Sequence, residues 1–241
     1  MRRALVFLTP FGSPLAPNEY TLAWFPLVGA LLGLAVGALW WLAAKAWPPL
    51  PSAAVAIAAD LVLTGLLHFD GLADAGDGLL APMTKERRLE AMADAAVGAF
   101  GVIAVSVVLL LRFSAFAVLR PVPLAVAGLW CASRTTMVAM TEFLPYARPT
   151  GLVKNFLAGE SRTSRQRYVL RSSVILGLAL SVMLVILGRG TRGLGALGAE
   201  LVAMALVCAL SWRRIGGYTG DVLGAAGVVG ETIGLLVLAT R

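Results

Sequence analysis

Three aspartates and the chain's one histidine fall in a single short stretch, "HFDGLADAGDG" at 68–78. Asp70, Asp74 and Asp77 are spaced i, i+4, i+7. On a helix that spacing keeps them within about 60° of arc, rising roughly 1.5 Å per residue. Carboxylates this close repel one another, and beside hydrocarbon their desolvation is expensive. A divalent cation removes both penalties. Mg²⁺ suits the donor set, because it takes carboxylate oxygens and completes its shell with water or substrate phosphate. Gly71, Gly76 and Gly78 present no side chain, so a bulky ligand can approach the backbone there, and the helix is expected to unwind toward its end. The plainer reading is a solvated cluster of charges at a helix end. His68 is a candidate metal ligand or general base, beside the commoner role of a hydrogen-bonded residue at the end of a span. Asp77 is the candidate to take a proton from an attacking hydroxyl, a role that geometry must decide.

Other polar residues have the same double reading. Asp94 is a possible fourth metal ligand at the start of a later apolar run. In "TGD" at 219–221, Thr219 and Asp221 are candidates for substrate contact; the alternative is an N-cap and a first-turn acid that complements the helix dipole. Arg134 either binds phosphate or neutralises an acid inside the membrane, with Glu231 as the suggested partner. Arg148, Lys154 and Asn155 flank a Pro-Thr-Gly turn and are candidates for the nucleotide. Arg112 is expected to snorkel toward an interface. Asp60 sits in mid-span.

The elements that must position these groups are apolar helices. The chain is 59% hydrophobic and 14% charged over 241 residues, against about a quarter charged in soluble domains. Its mean hydropathy is +0.85. These values indicate one all-α, polytopic membrane domain over 1–241. Seven apolar runs, with six to eight as the range, lie near 25–47, 52–68, 97–118, 121–142, 172–188, 196–212 and 219–240. No internal repeat is evident. With the N-terminus in the cytoplasm, 13 basic residues fall on the inner side and five outside, which favours that orientation. The acids of 70–94 and 221 then collect on the cytoplasmic face. The net charge of +7 is read as loop arginines facing anionic lipid, and nucleic acid is not expected as a partner. Arg162, Arg165, Arg167 and Arg171 recur as a basic juxtamembrane face. The apolar core of "MRRALVFLTPFG" is too short for a signal peptide. Cys131 and Cys208 suggest neither a disulfide nor a zinc site.

"HFDGLADAGDG", "MADAAVGAFGV" at 92–102 and "GGYTGDVLGA" at 216–225 together resemble the cobalamin synthase family. "FPLVGALLG" at 25–33, "SRTTM" at 133–137 and "YARPTGLVKNF" at 146–156 extend the resemblance in the same order. It implies a Mg²⁺-dependent transferase of the bacterial cytoplasmic membrane, with its site facing the cytoplasm. Such an enzyme joins adenosylcobinamide-GDP to α-ribazole or its 5′-phosphate, giving adenosylcobalamin or its phosphate and GMP, the last step of nucleotide-loop assembly. Many members of the family carry an Arg two positions after Asp94, where this chain has Ala96; if that Arg contacts substrate phosphate, another basic residue such as Arg134, Arg148 or Lys154 must serve in its place. Two other readings stay open. One is a CDP-alcohol phosphotransferase of phospholipid synthesis, although Asp74 stands where that family's motif has Arg. The other is a cation or metabolite transporter built on Asp60 and Glu231. Oligomeric state is left open, a homo-oligomer included.

Overall fold

The computed structural model describes residues 1–13, 15–148 and 162–240, and Lys154 and Asn155 lie outside them. Apart from a 3₁₀ turn at Leu22–Trp24 that leads into α2, the described elements are α-helices: α1 Arg2–Leu8, α2 Phe25–Ala46, α3 Pro49–Thr64, α4 Leu67–Leu80, α5 Lys85–Ala91, α6 Ala99–Val118, α7 Pro123–Phe143, α8 Ser164–Ile215 and α9 Gly220–Leu238. Proline in the first turn starts α2, α3 and α7, where a missing N–H costs no helical hydrogen bond. Four helical segments are long and apolar enough to cross a membrane: Leu22–Ala46, α6, α8 and α9. The pair α3 and α4 adds a fifth if its two arms, bent by 90°, form one broken span.

Two breaks shape the bundle. Gly65 and Leu66 both take left-handed conformations (φ 57° and 59°), which stops α3 and turns the chain into α4. Within α8, Gly190 adopts φ 57° and ψ −134°, open to glycine alone at no steric cost. A Cβ placed on Gly193 would strike the Val185 carbonyl. In a straight helix residues eight apart are about 12 Å distant, so 164–189 and 191–215 fold back on each other as a hairpin.

α7 is the central helix; Val126, Leu129, Trp130, Cys131 and Ala132 are fully buried. Gly29, Gly33 and Gly37 of α2 form a stripe at four-residue spacing that seats against Arg134, Trp130 and Pro123. Small residues of this kind let membrane helices approach closely. Cys131 and Cys208 are free thiols.

An ion-pair network ties four helices together in this core. Arg112 (α6) bonds Asp60 (α3) and Glu231 (α9, 2.6 Å), and donates to Thr232 Oγ1 (2.9 Å) and the Val228 carbonyl (3.0 Å). Its guanidinium also lies over the rings of Phe69 and Trp130. Arg134 (α7) bonds the other oxygen of Glu231, and Trp130 Nε1 donates to Asp60 (2.9 Å). The pairing suggested between Glu231 and Arg134 is therefore present. The expectation that Arg112 snorkels is wrong: it is 1% exposed. Two buried carboxylates offer it far more stabilisation than a distant interface, because unpaired charges in this environment are costly.

The glycines of α4 also behave differently from expectation. α4 stays helical to Leu80. A Cβ on Gly71 would lie 2.9 Å from the Asp221 carbonyl oxygen, one on Gly76 3.1 Å from the Gly101 Cα, and one on Gly78 would strike Met92. The space these glycines leave is filled by α9, α6 and the end of α5, not kept open for a ligand. Arg88 closes the C-terminus of α4 by donating to the Gly78 (2.7 Å) and Leu79 (3.0 Å) carbonyls, two acceptors with no partner inside the helix.

Candidate active site

α4, the start of α9, the segment after α7 and the N-terminal α1 meet at one end of the bundle. There they enclose a cavity of about 200 Å³. His68 and Asp70 line it from α4, Asp221 and Gly220 from α9, and Tyr146 and Arg148 from the segment after α7. Two long-range contacts hold this arrangement. Tyr218 donates its N–H to the Pro145 carbonyl (3.0 Å), and Ala147 donates to the Tyr218 carbonyl (2.8 Å). The Tyr146 and Tyr218 rings pack edge to face with centroids 5.5 Å apart. The second contact is the close approach of Gly71 to the Asp221 backbone.

The start of α9 follows the capping rule. The Thr219 hydroxyl accepts from the Val222 N–H (3.3 Å) and also contacts Asp221 Oδ2 (3.2 Å). Asp221 is in turn held by Arg148 (2.8 Å), whose same nitrogen donates to the Met92 carbonyl (2.9 Å). The pair is about a quarter exposed, so its contribution to stability is modest. Arg148 thus balances part of the negative charge at this end and orders the segment leading toward 149–161.

The charges of Asp70, Asp77, Asp221 and Arg148 all act on the half-buried Asp74. The carboxylates of Asp70 and Asp74 have no hydrogen-bond or ion-pair partner among the described residues. Partial burial raises the Tyr146 hydroxyl above its ordinary range, and the nearby Arg148 guanidinium opposes that shift. His68 is 5% exposed, and its Nδ1 has no hydrogen-bond partner among the described residues.

The structure therefore gathers His68, Asp70, Asp74, Arg148, Thr219 and Asp221, with Gly71 as the contact between α4 and α9. Four other candidates are placed elsewhere. Both oxygens of Asp77 accept backbone N–H groups, from Gly98 (2.7 Å) and Gly101 (2.9 Å), and so cap α6, whose own N-cap residue is a glycine without a side chain. That engagement is the work its geometry shows. Asp94 accepts from the Ala96 N–H (2.9 Å) in the turn before α6, and lines a separate shallow hollow together with Asp77. Arg134 serves Glu231 in the core, the second of the two roles considered for it. Gly78 packs on Met92. The sequence singled out none of Tyr146, Phe7, Leu8, Phe25 and Met137, yet all line the cavity. Tyr146, Phe25 and Met137 stood in stretches that carried the family resemblance ("YARPTGLVKNF", "FPLVGALLG" and "SRTTM"), and Phe7 and Leu8 in the N-terminal "MRRALVFLTPFG".

Among the described residues no three His, Cys, Asp or Glu side chains converge as a ready-made metal cage. Mg²⁺ does not require one; it is commonly held by one or two carboxylates, water and substrate phosphate. Asp70 and Asp74 are unpartnered hard oxygen donors in an excess of negative charge, so the residues fit that ion. Asp60 and Glu231, on which a transporter reading depends, have their charges met by Arg112 and Arg134.

Comparison with known proteins agrees with this picture. A family model described as cobalamin-5-phosphate synthase (CobS) matches residues 1–239. The adenosylcobinamide-GDP ribazoletransferase of Bradyrhizobium diazoefficiens is 36% identical, covering 98% of this chain and 90% of its own length. Those of Desulfitobacterium hafniense (38%; 97% and 93%) and Citrobacter koseri (39%; 89% and 85%) are similarly close. No solved structure matches. With nearly its whole length matched, the chain belongs to the cobalamin-5-phosphate synthase family.

Proposed function

We propose that this chain is a membrane transferase that joins adenosylcobinamide-GDP to α-ribazole or its 5′-phosphate and releases GMP. The observation that carries the reading is the meeting of Asp70 with Asp221, about 150 residues further along the chain, and with Arg148 at the polar side of one cavity, close enough to Asp74 that their charges act on it. The chemistry is an exchange at phosphorus. The acceptor hydroxyl oxygen attacks the phosphorus that bears the corrinoid; its P–O–P bond breaks, GMP leaves, and the hydroxyl proton passes to a side chain. Asp74 is the proton acceptor within this group. Arg148 holds Asp221 and faces the phosphates as a fixed positive charge. Asp70 and Asp74 would hold Mg²⁺. Once bound, the ion would neutralise the charge that develops as GMP departs.

In this reading the helices make seven crossings: α2, α3, α6, α7, the two arms of α8, and α9. The hairpin at Gly190 supports counting α8 twice. The site end of the bundle carries the basic loops, which favours the cytoplasmic side. The test is GMP release by detergent-purified protein given adenosylcobinamide-GDP, α-ribazole and Mg²⁺. No GMP under conditions that keep the protein folded would overturn the proposal.

A further inference from the structure

The cavity is polar on one side and apolar on the other. Phe7 and Leu8 of α1, Phe25 of α2, Leu67 of α4, Met137 of α7 and Leu223 of α9 make the apolar side. We infer that this apolar side seats the base ring of the acceptor riboside, and so governs affinity for the acceptor rather than for the corrinoid donor. The inference rests on the transferase reading above.

Size is the first argument. At about 200 Å³ the cavity is smaller than the roughly 300–1,000 Å³ that encloses a drug-sized ligand. It can take one flat bicyclic ring and cannot take a corrin macrocycle. Three such rings exist in the reaction, the guanine and the adenine of the donor and the base of the acceptor, and wall chemistry separates them. Guanine and adenine both carry donors and acceptors around their edges. Against Phe, Leu and Met these would be desolvated without partners, a large penalty. A benzimidazole joined to ribose is hydrocarbon around its edge except for one in-plane ring nitrogen. The cavity offers a matching group: the buried His68, whose Nδ1 is unpartnered among the described residues. Its imidazole can present N–H to that nitrogen. Phe7 and Phe25, with ring centroids 5.7 Å apart and tilted by 32°, supply aromatic faces. Position agrees as well. With the base against this wall, the sugar hydroxyls lie one ring away, toward Asp70, Asp221 and Arg148 on the polar side.

The test separates the two substrates. Leu8→Gln and Met137→Gln each place an amide in the apolar wall at nearly unchanged volume. KM for the benzimidazole α-riboside should rise at least about tenfold, with KM for adenosylcobinamide-GDP within a factor of about two. A rise confined to the donor KM, or no change in either, overturns the inference. Equilibrium dialysis of the unmodified protein with labelled benzimidazole α-riboside and no donor covers the case in which the variants do not fold. Binding that excess GMP fails to displace supports the assignment; no binding, or competitive displacement by GMP, refutes it. If the unmodified protein releases no GMP but still binds the riboside, the transferase reading has failed and the assignment of the cavity stands.

Discussion

Gly71→Ala tests whether the spacing between α4 and α9 sets the site. The added methyl group would lie 2.9 Å from the Asp221 carbonyl oxygen and 3.0 Å from its Cα. Ordinary contacts between such atoms begin near 3.4–3.5 Å, so the helices must separate by about 0.5 Å. Both obstructing atoms are backbone, and no side chain can swing aside to relieve them. Overpacking of this kind costs roughly 1–3 kcal/mol, while replacing glycine by alanine within a helix returns up to about 1 kcal/mol. The variant should therefore fold, with a melting temperature in detergent only a few degrees lower. Activity should suffer more. Misplacing reacting groups by about 1 Å can cost on the order of a hundredfold, so half that displacement predicts a loss of kcat/KM of about tenfold or more. Gly198→Ala in α8 is the control, because a Cβ there has nothing within 4 Å. The assay is initial-rate GMP release alongside thermal unfolding of both variants. If Gly71→Ala keeps more than half of the activity, or if Gly198→Ala loses as much, the argument from spacing is refuted.

The roles assigned to the aspartates predict that Asp74→Asn purifies as a folded protein with turnover lowered by orders of magnitude at ordinary Mg²⁺; near-normal rates would remove Asp74 from the site. Asp221→Asn separates a first-turn acid, worth about 0.3–1 kcal/mol to the helix, from a member of the site, whose loss should cost a thousandfold or so in rate. A folded variant retaining more than about a tenth of the activity assigns Asp221 to the helix alone. Arg112→Met leaves Asp60 and part of Glu231 uncompensated, at roughly 3–5 kcal/mol; differential scanning fluorimetry should register a fall on the order of 10 °C, and an unchanged transition would mean the network contributes nothing. For orientation, single cysteines at Glu86 and Arg165, in protein lacking Cys131 and Cys208, should resist an impermeant thiol reagent in intact cells. Ready labelling of both would invert the proposed topology.

Periodicity and composition decided a good deal on their own. The spacing of Asp70, Asp74 and Asp77 placed them along one helix, and they are on α4. Thr219 could be read as an N-cap, and its hydroxyl accepts from Val222. Glu231, too costly to leave unpaired in an apolar segment, was matched with Arg134, and the two are bonded. Each of these follows from forces acting within a turn or two of helix, or from the penalty on an isolated buried charge, and both are visible in a string of residues. The tertiary structure decided how segments far apart in sequence meet. Asp77 differs little from Asp74 in sequence, yet it caps α6 because that helix begins at a glycine with no side chain to do so. Arg112, which looked like a snorkelling residue, is drawn inward by Asp60 and Glu231, 52 and 119 positions away. The meeting of α1, α4, α9 and the Tyr146–Arg148 segment depends on a 90° turn at Gly65–Leu66 and on the contact of Gly71 with Asp221, neither of which leaves a periodic mark. Local patterns specify which face of a helix is polar; only packing in three dimensions determines which other polar face it meets.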